Sequence, residues 1–432
     1  MKKILLSIFF FFLFTSISYA GPCLTTIASA STNQLACSDN DILKVTSAGS
    51  ITYNDNKAVD LEDISGVQIT NDGTIKTEDG TNKQIAINAE SSLNTTITNN
   101  GTINSDNKYG VILNYAENVV ITNNAGATIS ADGNTAIYGK NVGNCHFNGT
   151  NCHSDLSGQS NGVGLTLHNH GTITSQHETV WLGSGSSGAH RSKGIKIYNY
   201  DGGIIKTTDE GDSPIKGFHL VDFEFINYQG GTIESADRHA VNTEQSEDIN
   251  FTNNGTITAT DKSAFYCKTC SDVTFNNTGT MTSGNNAVVI SNGDNISITN
   301  SGTITATTDN SGLNVSSSDG TVVTNTGTIS GVDHGMQSSN VDNSTITNHG
   351  TISASSNSGY GLLYENDGTN RVNNTLNNYG TISATSGSFA DGIGIGRGAF
   401  PMFNITINNY GTISGSDDSI KMLNSSNTGI NI

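Results

Sequence analysis

After position 20, apolar residues fall on alternate positions in short runs, and no window sustains the spacing of an amphipathic helix. One stretch shows the grammar: Ala287-Val288-Val289-Ile290, then Ile296-Ser297-Ile298, then Thr303-Ile304-Thr305, with Gly, Asn and Asp gathered between the runs. Alternation predicts strands with one face buried, and the polar clusters predict turns.

These triplets recur. Thirteen copies of one phrase, an asparagine, a glycine and then an aliphatic, run from Gly73 to Gly411, the phase glycines lying 23 to 32 residues apart except for one gap of 45. Gly49 marks a weaker, earlier copy. A fixed period of this size signals a stacked, quasi-one-dimensional fold. Three strands per period predict an all-β chain wound as a right-handed parallel β-helix of about 14–15 coils, a rod of roughly 65–70 Å at the spacing of paired strands. The long gap, between Gly126 and Gly171, contains Asn148-Gly149-Thr150 and reads as a degenerate coil, with an excursion loop as the other reading.

Within a coil such as Thr299-Asn300-Ser301-Gly302-Thr303-Ile304, the aliphatics should line a thin core and the threonines face water. Glycine should permit a turn conformation that other residues resist. Asn71, Asn99, Asn169, Asn253, Asn277, Asn300, Asn325, Asn348, Asn378 and Asn409 stand two places before their glycines, and are expected to stack as an amide ladder. Near Gly126, Gly203 and Gly231 the turn gains residues, and Asn123, Asn199 and Asn227 hold the corresponding place.

Composition fits a thin core: only 34% of the 432 residues are hydrophobic, 13% are charged, and there are 49 Gly and 3 Pro. Residues 1–20 read as a secretory signal: Lys2 and Lys3, the apolar run Ile4–Ile17, and Ser18-Tyr19-Ala20 before the cut. Residues 21–42 would form an N-terminal cap holding Cys23 and Cys37, and 43–432 one elongated domain. Ile430-Asn431-Ile432 matches the strand before an Asn-x-Gly phrase, so the chain is expected to stop in mid-coil as a truncated product lacking its continuation. A net charge of −19 with four arginines leaves no basic face for a phosphate backbone, which argues against nucleic acid as a partner.

Candidate chemistry is sparse. Six cysteines form three local pairs, Cys23 with Cys37, Cys145 with Cys152 and Cys267 with Cys270, and in an exported chain these read as disulfides. Zinc is the alternative at Cys145-His146 and Cys152-His153, and half a site at Cys267-Lys268-Thr269-Cys270; the preferred assignment is no metal and no cofactor. His170, Tyr200, Tyr228, His349, Tyr379 and Tyr410 share one turn slot, as exposed residues or as a row for stacking sugars. Asp333-His334 and Asp417-Asp418 carry the residue types of glycoside hydrolysis, but the histidine precedes the Asp pair, and no catalytic residue is assigned. Thr256-Ile257-Thr258, Thr280-Met281-Thr282, Thr303-Ile304-Thr305 and Thr328-Ile329-Ser330 would stack as a flat hydroxyl ladder, interrupted elsewhere by Lys76, Asn104 and Glu234.

The signal, the Asn-x-Gly-Thr-Ile coils and the scarcity of Cys and Arg over residues 40–432 resemble the passenger domains of bacterial autotransporters, the type V secretion class. That resemblance implies export to the periplasm, passage through an outer-membrane translocator absent from this chain, and display at the cell surface or release. The function expected is therefore an adhesive or structural rod, not an enzyme, that binds extracellular carbohydrate or protein. The alternatives are a carbohydrate-active β-helix enzyme of the pectin lyase or polygalacturonase kind, and a rod that binds a flat lattice such as ice or crystalline polysaccharide.

Overall fold

The structure is a computed structural model that describes residues 21–23, 25–78, 84–143, 146–147, 152–153, 163–183, 191–208, 211–366, 371–398, 400–424 and 426–432. The expected signal segment lies outside the described residues, as do Cys145, the side chain of Cys152 and Asn148-Gly149-Thr150. Among the described residues there is no helix, and so none long and apolar enough to cross a membrane.

Three parallel sheets of 16, 15 and 15 strands run the length of the chain, each strand paired with its equivalents in the coils before and after. They wind as a β-solenoid with three strands per coil, one from each sheet. One coil passes through Val288–Ser291 in the first sheet, Ile296–Asn300 in the second and Thr303–Ala306 in the third. Residues 21–36 contribute short strands already paired in parallel with later ones, Gly21 opposite Leu35 and Ala30 opposite Ser50.

Pairing is in register because each strand alternates one fixed inward side chain with outward ones, and a slip of one residue would turn the aliphatics to water. Inward columns result in each sheet. Val288, Leu313 and Met336 continue one another in the first sheet, Ile298, Val323 and Ile346 in the second, and Ile304, Ile329 and Ile352 in the third. All nine are 1% exposed or less and belong to one continuous core. Phe225, Phe251 and Phe275 stack within it at 4.9 and 5.0 Å. Each such side chain removed from water contributes about 1.5–3 kcal/mol, repeated coil after coil.

The long gap resolves as an excursion. Val119–Asn123 pairs directly with Leu165–Asn169, and Thr128–Ala131 with Thr172–Ser175, so no coil stands between them. Between Gly143 and Val163 the described backbone is an antiparallel pair, His146–Phe147 with Cys152–His153. The degenerate-coil reading fails for a physical reason. Between Gly143 and Gly162 only Phe147 and Leu156 are large and apolar, too few to fill the inward columns.

The phase glycines correct a second expectation. Most do not have positive φ; they are required by contact with the coil before. A Cβ on Gly327 would lie 2.1 Å from the carbonyl oxygen of Gly302. Among these phase turns positive φ falls where the turn is lengthened, at Gly126 with φ 79° and at Gly202 and Gly230. Left-handed backbone also recurs between the first and second sheets on non-glycine residues, in pairs three apart: Gln245 and Asp248, Thr269 and Asp272, Asn292 and Asn295. Asn and Asp tolerate this conformation better than most side chains.

Candidate binding face

Thirteen asparagines form one unbroken amide ladder at the turn from the second sheet to the third. The Nδ2 of each donates to the Oδ1 of the next, from Asn71 through Asn99, Asn123, Asn169, Asn199, Asn227, Asn253, Asn277, Asn300, Asn325, Asn348 and Asn378 to Asn409, at 2.8–2.9 Å. The second Nδ2 hydrogen of Asn300 reaches backbone carbonyls, that of Thr328 at 3.2 Å among them. Asn123, Asn199 and Asn227 join because the added turn residues follow the asparagine and leave its own place in the strand unchanged. At the N-terminal end Asn71 lies opposite Val45, and its Oδ1 has no donor. The ladder is scaffold: apart from Asn409, its members are 1% exposed or less.

Two of the cysteine pairs are bonded, Cys23–Cys37 and Cys267–Cys270. Both sulfurs of the second lie in the core at 0% and 1% exposure, and Thr243 Oγ1 donates to Cys267 Sγ at 3.0 Å. Neither sulfur of that pair is free to bind zinc.

The residues of glycoside hydrolysis do not converge. His334, Tyr360 and Asp391 lie in register, and in the next coil the Asp418 N–H donates to Asp391 Oδ1 at 3.0 Å. His334 and Asp418 are thus three coils apart, roughly 14 Å. His334 is buried, and burial, helped by Arg397, pushes its pKa down to about 4. Asp391, Asp417 and Asp418 come together around Lys421, whose Nζ lies 3.3, 2.7 and 3.8 Å from their oxygens. The Lys421 ammonium group thus sits among the three carboxylates and pairs with them.

The aromatic turn slot forms stacks. His170 on Tyr200 and Tyr200 on Tyr228 lie at 4.1 and 4.8 Å, both 6° from parallel; His349, Tyr379 and Tyr410 follow at 4.7 and 5.0 Å. On the first sheet Tyr109, Tyr138 and Trp181 stack at 4.4 and 4.8 Å. In such stacks the ring faces between members cover one another, leaving ring edges and the outer faces of the end members.

One stretch of the surface departs from the repeat. Strands of the second sheet are four residues long near the N-terminus, as at Thr96–Asn99, but widen to eight in Ser192–Asn199 and Leu220–Asn227 and to seven in Glu247–Asn253 and Ser271–Asn277. Two grooves lie side by side on this widening. One, of about 410 Å³, is lined by Lys193, Lys196, Asp222, Glu224, Asp248 and Asn250 together with Val163, Gly194 and Phe223. The other, of about 290 Å³, is lined by Arg191, His219, Gln245, Glu247 and neighbouring hydroxyl residues. The charges are matched across coils: Lys193 with Asp222 at 3.8 Å, Lys196 with Glu224 at 3.7 Å, and Arg191 with Glu247.

Asp248 has no lysine of its own; desolvation and then Asp222 and Asp272 hold its pKa above the usual carboxylate range. Tyr198, on the same strand face as Lys196, hydrogen-bonds Glu224, and desolvation followed by that carboxylate raises its pKa to about 12. Its ring meets His168 at 5.3 Å and Tyr200 at 6.4 Å, tilted by 31° and 54°. His168 Nδ1 shares a hydrogen bond of 2.9 Å with the Tyr200 hydroxyl, and desolvation lowers the His168 pKa. Sequence reading missed this face. Its signal was the sequence Lys193-Gly194-Ile195-Lys196-Ile197-Tyr198, an alternating run longer than its counterparts.

Against known proteins, the sequence matches no described family and no curated relative.

Proposed function

We propose that this chain is an exported rod of the autotransporter-passenger kind, structural and adhesive and without catalytic activity, which binds extracellular carbohydrate or protein along its flank. The widened stretch of the second sheet carries this reading: it gathers two grooves, charges paired across coils and a half-buried tyrosine beside them. Export is supported by the N-terminal charged, apolar and small-residue run and by two disulfides in a chain with few cysteines. An outer-membrane translocator is the partner that such a route requires.

A glycan array run beside an assay for uronate release tests the reading. Binding without turnover is the expected result; release of unsaturated or reducing uronates would replace it with the enzymatic alternative.

One observation favours a second reading. Seven consecutive coils, from Thr256 and Thr258 to Thr412 and Ser414, present only Thr or Ser at both outward positions of the third sheet. That two-column hydroxyl array matches the geometry wanted by a flat lattice, and thermal hysteresis of the purified rod tests it.

A further inference from the structure

We infer that the larger groove of the widened face is the carbohydrate-binding site of the rod, and that it takes a neutral, hydroxyl-rich sugar in preference to an acidic one. This rests on the adhesive reading above and names where and what the rod binds.

The groove's size, about 410 Å³, falls in the range of small-ligand sites. Its walls supply donors and acceptors together. Lys193 and Lys196 offer ammonium hydrogens, Asp222, Glu224 and Asp248 offer carboxylate oxygens, and Asn250 offers both. The ion pairs at 3.7 and 3.8 Å are long, so each partner keeps hydrogen-bonding capacity to spare. A sugar hydroxyl donates to a carboxylate and accepts from an ammonium with the same oxygen, so a polyol satisfies both kinds of wall at once, through charge-assisted bonds.

The competing ligands fit less well. A uronate would enter a groove with three carboxylates against two lysines, on a chain of net charge −19. A bare cation would meet the two lysines. An apolar ligand would find only Val163 and a Phe223 that is 1% exposed. Beside the groove, Tyr198 hydrogen-bonds Glu224 through its hydroxyl, and its half-buried ring is tilted against His168 and Tyr200. An aromatic face next to a polar groove is the arrangement that receives the C–H face of a sugar ring.

Calorimetry with the disulfide-intact chain tests this, using neutral gluco- and galacto-oligosaccharides of two to four units and oligogalacturonate as the acidic counterpart. Neutral oligosaccharides should bind and oligogalacturonate should bind more weakly. Glu224→Gln and Tyr198→Ala should each weaken neutral-sugar binding about tenfold, the loss of one charge-assisted or stacking contact. Tyr379→Ala, in the distant stack, should leave it unchanged, and an unchanged melting temperature shows that each variant is folded. Tighter binding of oligogalacturonate, no binding of any neutral sugar, or binding indifferent to both groove variants would overturn the assignment. Beads coated with the chain, presented to immobilised glycans and matrix proteins, separate the two levels: adhesion that survives both variants removes the groove and keeps the adhesive rod, while absence of adhesion removes the rod's proposed role.

Discussion

Asn300 shows what a single side chain does in a stacked fold. Its Oδ1 accepts from Asn277 and its Nδ2 donates to Asn325, both buried, so removing it orphans a donor on one side and an acceptor on the other. Asn300→Ala should lower unfolding free energy by about 1–3 kcal/mol. Asn409→Ala, at an exposed position, should cost less, as chemical denaturation of the two variants would measure.

His334 tests burial from the other side. Its pKa is about 4 in the folded chain, against 6.5 ordinarily, because desolvation and then Arg397 disfavour the cation. A folded-state value below the unfolded one means that the unfolded chain takes up the proton first. Stability is therefore whole above pH 6.5 and is lost as pH falls toward 4, by on the order of 1–3 kcal/mol for this group. His239, stacked on Tyr266 and likewise lowered to about 4, acts in the same direction. Replacing both with Gln should flatten the denaturation midpoint between pH 6.5 and 4; a profile identical to that of the parent chain would contradict the assignment.

At this scale the Asn-x-Gly phrase named ten members of the ladder, because the residue type and its distance from glycine repeat. Three more, Asn123, Asn199 and Asn227, needed the register of the strands. The burial of His334 was not legible, because a polar residue in that slot is exposed in some coils and covered in others.

At the scale of the turn, two glycine classes look alike in sequence and differ in cause. Gly327 presses on the backbone of the coil before, whereas Gly320, with φ 66°, has nothing within 4 Å of its missing Cβ. Gly327→Ala must push adjacent coils away from each other and should cost roughly 3 kcal/mol. Gly320→Ala meets only backbone strain and should cost about 1–2 kcal/mol. Equal losses in thermal unfolding would refute the distinction.

The Cys267–Cys270 bridge joins the end of a first-sheet strand to the turn after it, with both sulfurs sealed in the core. Thiol exchange needs a thiolate at sulfur. Reductant under native conditions should therefore leave this pair unalkylated, while denaturation before reduction should add two alkyl groups to its peptide. Cys23–Cys37, with Cys37 partly exposed, should react earlier. Pairing of neighbouring cysteines could be read from the sequence; which bridge is sealed could not, since that depends on where the strand ends against the core. The excursion between Gly126 and Gly171 was ambiguous for a related reason: the spacing suited a coil, and only the shortage of apolar residues weighed against one.

Across the whole molecule, alternation and period together define the three-sheet winding, since a thin core needs only one or two aliphatics per strand. The proposed binding face was hidden because its components, Lys193, Lys196, Asp222, Glu224 and Tyr198, are ordinary outward residues that become neighbours only when successive coils stack. The central claim is that winding, and electron–electron resonance distances between spin labels on the third sheet test it most directly. Thr174 and Ser353 occupy the same outward column seven coils apart, and Lys76 lies three coils further along it. Labels at 174 and 353 should lie roughly 34 Å apart, and labels at 76 and 353 roughly 48 Å, one strand spacing per coil. Distances that fail to grow with the number of intervening coils would mean separate compact cores or hairpins, and the rod with its binding face would not stand.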